Sequence, residues 1–480
     1  MTTPSTTQTP DRTLADPRFP VELVNIIIDN IRRPDGSRDT RTLHSLCAVD
    51  RRFRILSTAP LYETFDSRYG NVSKLLHTLY GRNDLAKHFK RIIWGEGFVR
   101  KDDKGHVFLN PGNGENSNLT SGLSKLALGS DDVKEPNERG GSEVDRLGAD
   151  VILEGLLIHT FNLKHFDYKH AGGASSPMGV PWRLFVTRPM RRSFEHLHTV
   201  KITIKFLVRD YVRLLFSCQS IRYLEITQYI DSPGLLYKVP VGSSNVETLK
   251  LKQSCCCGPN LASFVAGCRK LRTFMYEHWL PTPHVMFDSE PSLDLRVLEP
   301  ALRRHRESLR HLILTMLARD IDSYGHFSTL QDFRVLNSVV CPADSLQRPQ
   351  EETSVMIQRF GSLFPGSMKH LMVTIDTTAP DFDWEWSPYT LKPHSCLSTV
   401  PAALPGLSTL YLLLKSTCKL ARHPWHRIQK TFMSANMELD VLHEDVSDDG
   451  TYPSMEVRDP DFFPLAFEED VGRSWEEFIE

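Results

Sequence analysis

This 480-residue chain contains no unbroken run of about 18 apolar residues, so nothing in it reads as a membrane-spanning helix. It carries almost no surplus charge. The formal balance is −2 and the pI about 6.8, which gives no global reason to expect nucleic acid as a partner. Catalytic signatures are missing as well. There is no G-x4-G-K-[ST] phosphate loop, no G-x-S-x-G elbow and no H-E-x2-H pair, and Gly112-Asn113-Gly114 does not continue into a dinucleotide fingerprint. The expectation is therefore a non-catalytic chain without cofactor or metal. Nine scattered cysteines, an odd number, do not make a secreted disulfide framework. Residues Met1 to Asp16 are polar and Thr/Pro-rich, unlike the apolar core of a secretory leader. Both point to a reducing compartment, cytoplasmic or nuclear.

Two chemically tempting clusters have bland readings. Cys255-Cys256-Cys257, with Cys268 farther on, could suggest a soft metal, but neighbours on a strand point to opposite faces and no zinc spacing is present. Buried thiols at a strand end are the expected state. His305 and His311 among Arg303, Arg304, Arg306 and Arg310 form a basic run that reads as the outer face of a helix, with a nucleic-acid patch as the alternative.

What is present falls into two patterns. Along Phe19 to Tyr62, Pro20 opens a helix at a position where a missing N–H costs nothing, and Glu22 suits the positive end of its dipole. Leu23, Ile27 and Ile31 form one apolar stripe, and Val24 and Ile28 beside Ile26 form a second. Two stripes on one short helix predict burial on two sides. Leu43, Leu46 and Val49 share a face of the next helix, and Phe53, Leu56 and Leu61 follow the basic turn Arg51-Arg52. Three short helices are too few for an isolated core, so they are expected to lean on something else.

The second pattern is a loose repeat of apolar-x2-apolar-x-apolar. It occurs as Leu163/Phe166/Tyr168, Leu197/Val200/Ile202, Ile221/Leu224/Ile226, Val246/Leu249/Leu251 and Leu271/Phe274/Tyr276. Later copies are Leu309/Leu312/Leu314, Leu330/Phe333/Val335, Met368/Leu371/Val373 and Leu407/Leu410/Leu412. The middle positions 200, 224, 249 and 274 are 24, 25 and 25 residues apart. The alternating core reads as a strand buried on one face. Helical pieces at Val208 to Cys218, Asn260 to Cys268 and Val297 to Arg306 lie between copies. Strand-plus-helix units that cannot bury their own apolar sides must stack on neighbours, which makes a solenoid.

The ordered set Phe19-Pro20-x-Glu22-Leu23, Leu43-x2-Leu46-x2-Val49-x-Arg51-x-Phe53-Arg54 and Ala59-x-Leu61-Tyr62 resembles the F-box motif, over about a tenth of the chain. The repeats resemble irregular leucine-rich repeats of the kind often found behind an F-box, over roughly 151–414. The resemblance implies a substrate-recognition subunit of a Skp–cullin–F-box ubiquitin ligase, a non-enzymatic part of the ubiquitin conjugation pathway. Phe19, Pro20, Leu23, Ile27, Leu43, Leu46, Val49, Phe53, Leu56, Leu61 and Tyr62 would grip a Skp-type adaptor, and through it a cullin. On the solenoid, the variable strand positions Glu225, Lys250, Met275, Ile313, Arg334, Met372 and Tyr411 are candidates for holding an unknown protein target. Thr227, Lys252, Glu277 and Thr315 would flank them. This mixed surface suits protein better than a phosphate backbone. The alternative is a solenoid scaffold acting outside any ligase.

The predicted organisation is α/β, with a three-helix N-terminal segment ahead of an irregular α/β solenoid. A disordered lead-in covers 1–17, the F-box-like helices 18–64, and a connecting helix and strand 65–100. A polar insertion, 101–146, separates these from the solenoid at 147–442. An acidic tail, 443–480, closes the chain, and the acidic, aromatic stretch Asp381 to Tyr389 reads as a recognition loop or an edge-packed one.

Overall fold

In the computed structural model, the apolar-x2-apolar-x-apolar units become consecutive rungs of one sheet. The structure describes residues 20–32, 38–67, 72–95, 153, 155–169, 194–203, 209–231, 238–278, 293–316, 325–342, 345–346, 355, 359–376, 399–416 and 425–445. The lead-in with Phe19, the 101–146 insertion, the 381–389 stretch and the chain after 445 lie outside these residues.

The strands are β1 (Thr64–Asp66), β2 (Arg91–Gly95), β3 (His165–Lys169), β4 (Thr199–Thr203), β5 (Tyr223–Thr227) and β6 (Thr248–Ser254). They continue as β7 (Thr273–His278), β8 (His311–Met316), β9 (Ser338–Pro342), β10 (His370–Asp376), β11 (Thr409–Ser416) and β12 (Glu438–Asp445). They form a 12-stranded sheet in the order of the sequence, and every pairing is parallel. Parallel neighbours need a crossover, and the residues between strands supply it. The fold is thus α/β and solenoid-like.

Register places the middle apolar residues side by side: Phe166 beside Val200, Val200 beside Leu224, then Leu249, Phe274, Leu312, Val339, Leu371, Leu410 and Leu439. All belong to a single buried core. Each fully buried Leu or Phe contributes about 1.5–3 kcal/mol relative to exposure. The rows are completed by the first apolar residue of each unit, such as Leu163, Leu197 and Ile221, which turns under the strand.

One repeat is displaced from its expected place. Leu330/Phe333/Val335 is a turn, and the strand is Leu336/Val339/Cys341 in β9. Leu330, Phe333 and Leu336 are all buried, so the earlier triplet imitates the pattern while packing below the sheet. Arg334 therefore stands in an exposed turn, and Val340 takes the sheet position expected for it. Two further rungs precede the repeats read from the sequence, β1 and β2, and one follows them, β12.

The helices that position the surfaces are α1 (Val21–Asp29), α2 (Thr40–Val49), α3 (Arg51–Leu61), α4 (Val72–Gly81) and α5 (Asn83–Ala86). Farther on come α6 (Arg209–Ser217), α7 (Gly258–Gly267), α8 (Leu295–Arg303), α9 (Phe360–Leu363), α10 (Val400–Ala403) and α11 (Trp425–Ser434). Local signals explain their starts. Asp39 accepts from the Arg41 and Thr42 amides at 3.1 and 3.3 Å, Asp50 from the Phe53 amide at 2.8 Å, and Asp294 from the Arg296 amide at 2.9 Å. Helix α8 ends at Arg303, so the basic run beyond it is not a helix face. His305 is buried, accepting from the Leu271 amide at Nδ1 (3.3 Å) and lying 2.9 Å from the Val265 carbonyl at Nε2, while His311 opens β8.

Candidate functional site

The N-terminal helices have a core of their own, made of Val24, Ile28 and Leu43 with Ile31, Leu46, Phe53, Leu56 and Leu61 packed around it. Arg38 fastens the end of α1. Its guanidinium donates to the Asp29 carbonyl at 2.9 Å, where a cation suits the helix dipole, and pairs with Glu63 at 3.1 Å. Glu63 also holds Lys90 at 2.9 Å, and Tyr62 meets Phe89 edge-on with ring centroids 5.9 Å apart. These contacts carry α3 onto β1 and β2.

The two stripes of α1 have separate fates. Val24 and Ile28 face inward, whereas Leu23 is 47% exposed, Ile26 56% and Ile27 55%. Val21 at the start of α1, Val49 at the end of α2 and Ile55 on α3 are exposed as well. Three large apolar side chains on one face of so short a helix are more than singly scattered surface residues. Of the expected adaptor-contact residues, Pro20, Leu23, Ile27 and Val49 are open to solvent. Leu46, Phe53, Leu56, Leu61 and Tyr62 are half-buried, and all but Tyr62 pack on the small core. Leu43 is fully buried in that core. Val21, Ile26 and Ile55 were not among the expected contacts. Ile26 was visible as the apolar residue left over once the inward stripe of Val24 and Ile28 is assigned.

The other face of the sheet, away from the core, carries the expected row. Asp167, Lys201, Glu225, Lys250, Met275, Ile313, Val340, Met372 and Tyr411 are neighbours in register. Its character differs from that of an open surface. Met275, Ile313, Val340 and Met372 are buried, and Glu225 is only 3% exposed. Glu225 pairs with Lys252 at 3.2 Å and accepts a short hydrogen bond from the Tyr223 hydroxyl. Burial alone would raise its carboxyl, but Lys252, Lys201, Tyr223 and Lys250 outweigh it and hold the carboxyl below its usual value. Lys250 lies over the Tyr223 ring, 5.4 Å from its centroid. Sequence parity placed Glu225, Lys250, Met275, Ile313, Met372 and Tyr411 on one face, to which Asp167, Lys201 and Val340 are added, but it did not indicate how deeply that face is buried.

A third polar cluster lies where β5, β6 and β7 end. Asp231, fully buried, accepts from the Tyr229 hydroxyl at 2.6 Å, the Cys257 amide at 2.7 Å and the Asn260 side chain at 3.0 Å. It thereby ties β5 to the start of α7. Nearby, the Tyr276 hydroxyl accepts from the Cys256 amide at 3.0 Å and meets His278 Nδ1 at 2.7 Å. Cys255 and Cys256 are buried thiols, as expected, and Cys257 is half-exposed at the helix cap. Burial drives the Cys256 thiol well above its usual value and Cys257 up to about 11, so neither is a thiolate near neutrality. Among the described residues, no group of His, Cys, Asp and Glu is placed to hold a metal ion, and no helix is long and apolar enough to cross a membrane.

Burial also lowers the His278 imidazole to about 4. His311 is likewise lowered to about 4, by burial first and then by Arg310 and His370. Both are neutral in the fold, while an unfolded chain takes up the proton near pH 6.5. Between those values the unfolded state binds more protons, so stability is full above about pH 6.5 and is lost as pH falls toward 4. Urea midpoints at pH 7.5, 6.0 and 5.0 are expected to decline steadily, and His278→Gln is expected to flatten that decline. An unchanged slope in the variant would show that His278 does not carry it.

No protein-family model matches this chain, and no curated protein sequence is significantly similar to it.

Proposed function

We propose that this chain is the substrate-recognition subunit of a Skp–cullin–F-box ubiquitin ligase, with α1–α3 docking on the adaptor and the leucine-rich-repeat-like sheet receiving a protein target. The observation that carries this reading is the exposed apolar face Leu23, Ile26 and Ile27 of α1, opposite a small core of Val24, Ile28 and Leu43. That face coincides with the stretch whose sequence resembles the F-box. Such a subunit acts by proximity: holding a target near a recruited conjugating enzyme raises the local concentration of its lysines, with no chemistry by this chain.

The repeated α/β architecture is equally compatible with a binding scaffold that recruits no ligase, and the same experiment separates the two. Co-expression with a Skp-type adaptor is expected to raise the soluble yield and to give one co-eluting peak in size-exclusion chromatography. If the chain elutes alone and its yield is unchanged, the scaffold reading stands in its place.

A further inference from the structure

The ladder that enters the strands brings together cations that are far apart in the chain. At the residue just before each strand, the amides donate rung by rung to the preceding carbonyl at 2.7–2.9 Å, from Lys90 through Lys164, His198, Arg222, Glu247, Arg272, Arg310 and Asn337 to Lys369. Six of these are Lys or Arg and all six are exposed. Strand spacing of about 4.8 Å makes this row roughly 38 Å long. Lys90 is engaged by Glu63, and Arg222 and Arg272 share Glu247 at 4.0 and 3.0 Å. Lys164, Arg310 and Lys369 have no carboxylate partner among the described residues. Exposed Arg269, Lys270 and Arg304, in the turns leading into β7 and β8, widen the same rim.

The near-neutral total charge conceals a separation. Residues 446–480 hold eleven acidic residues against Arg458 and Arg473, a balance of −9, so the first 445 residues carry +7 of the −2 total. Phe462, Phe463, Phe467, Trp475 and Phe478 interrupt those acids. We propose that the strand-entry rim is a docking track for an extended acidic polypeptide, and that its occupant in the isolated chain is this chain's own segment 446–480.

Reach permits it. Strand β12 ends at Asp445 on the opposite rim, one strand length away, about 26 Å at 3.3 Å per residue. The 35 residues that follow span up to about 115 Å when extended, enough to cross and run along the row. Tethering supplies an effective concentration on the order of millimolar, which compensates for the modest strength of exposed ion pairs. Peptide fits better than nucleic acid. Glu247, Glu307 and Asp332 stand among the cations, and a continuous phosphate backbone would meet them head-on. A peptide places its acids only where cations stand. None of the rim cations lies in α1–α3, so this inference is independent of the adaptor reading.

The test is zero-length carbodiimide cross-linking of the full chain with peptide mapping. Links from carboxylates of 446–480 to Lys164 or Lys369 are expected in the monomeric species. They are expected to fall at least fivefold at 1 M NaCl, where the Debye length is about 3 Å. Arg272→Glu with Arg310→Glu, both exposed, is expected to cause a similar loss. The Lys90–Glu63 pair, 2.9 Å apart, links in every sample and controls for the reagent. Tail links confined to lysines outside the rim, links only between two copies, or tail links indifferent to the rim charges would overturn the proposal. So would a uridine homopolymer that binds the wild-type rim but not the rim variant while the tail links persist.

Discussion

Leu23→Asp combined with Ile27→Asp is expected to abolish capture of a Skp-type adaptor while leaving the melting temperature within about 2 °C of the parent. Both side chains are about half exposed and neither belongs to the small helical core, so folding loses little. Docking loses much. Two apolar side chains entering an interface are worth about 1.5–3 kcal/mol each, and a carboxylate stranded in a desolvated contact costs more. The combined loss corresponds to roughly a thousandfold or greater fall in affinity. The milder pair Pro20→Ala and Leu23→Ala should weaken capture in the same direction. Val24→Asp is the contrasting variant: Val24 is buried against Ile28 and Leu43, so this change should melt the bundle itself. Adaptor pull-down beside a thermal scan reads both outcomes, and undiminished capture by the double aspartate variant removes the basis for the ligase reading.

Asp231→Ala is expected to cost about 3–5 kcal/mol of folding stability. Two buried donors, the Tyr229 hydroxyl and the Asn260 amide, and the half-buried Cys257 amide lose their common acceptor. Because Cys257 caps α7, the loss should be felt where that helix meets β5. Asp231→Asn keeps one acceptor oxygen and turns an N–H2 toward the donors, so an intermediate loss is expected. Urea titration with a constant m-value reads the difference. A loss below about 1 kcal/mol for the alanine variant would mean that water replaces the carboxylate there.

Much of the sheet could be read from the sequence because a strand buried on one face has a period of two, and eight of the nine expected units occupy strands in mutual register. The ninth failed because Leu330, Phe333 and Val335 meet the same spacing six residues before Leu336, Val339 and Cys341, and only pairing with β8 and β10 decides between them. Depth was less legible than direction. The alternation of a strand assigns Glu225, Met275 and Met372 to a face but does not encode their burial. The cationic rim was present in the sequence, as the residue just after the first apolar position of most units, but it becomes a row only when strands far apart in the chain are laid side by side. On α1 the double apolar stripe was plain, and the structure decides which stripe belongs to the protein and which to the solvent.

The strictly sequential order of the twelve strands has a consequence for how the molecule is made and unmade. Each rung needs only the one before it, so a chain leaving the ribosome can lay down its sheet as a growing stack, with no late segment required to close an early one. In such a stack stability is close to a sum of rung and neighbour-interface contributions, so structure can propagate from rung to rung. Under mechanical pull from either end, the same arrangement should release one rung at a time, giving a sawtooth of small extensions instead of a single cooperative rupture.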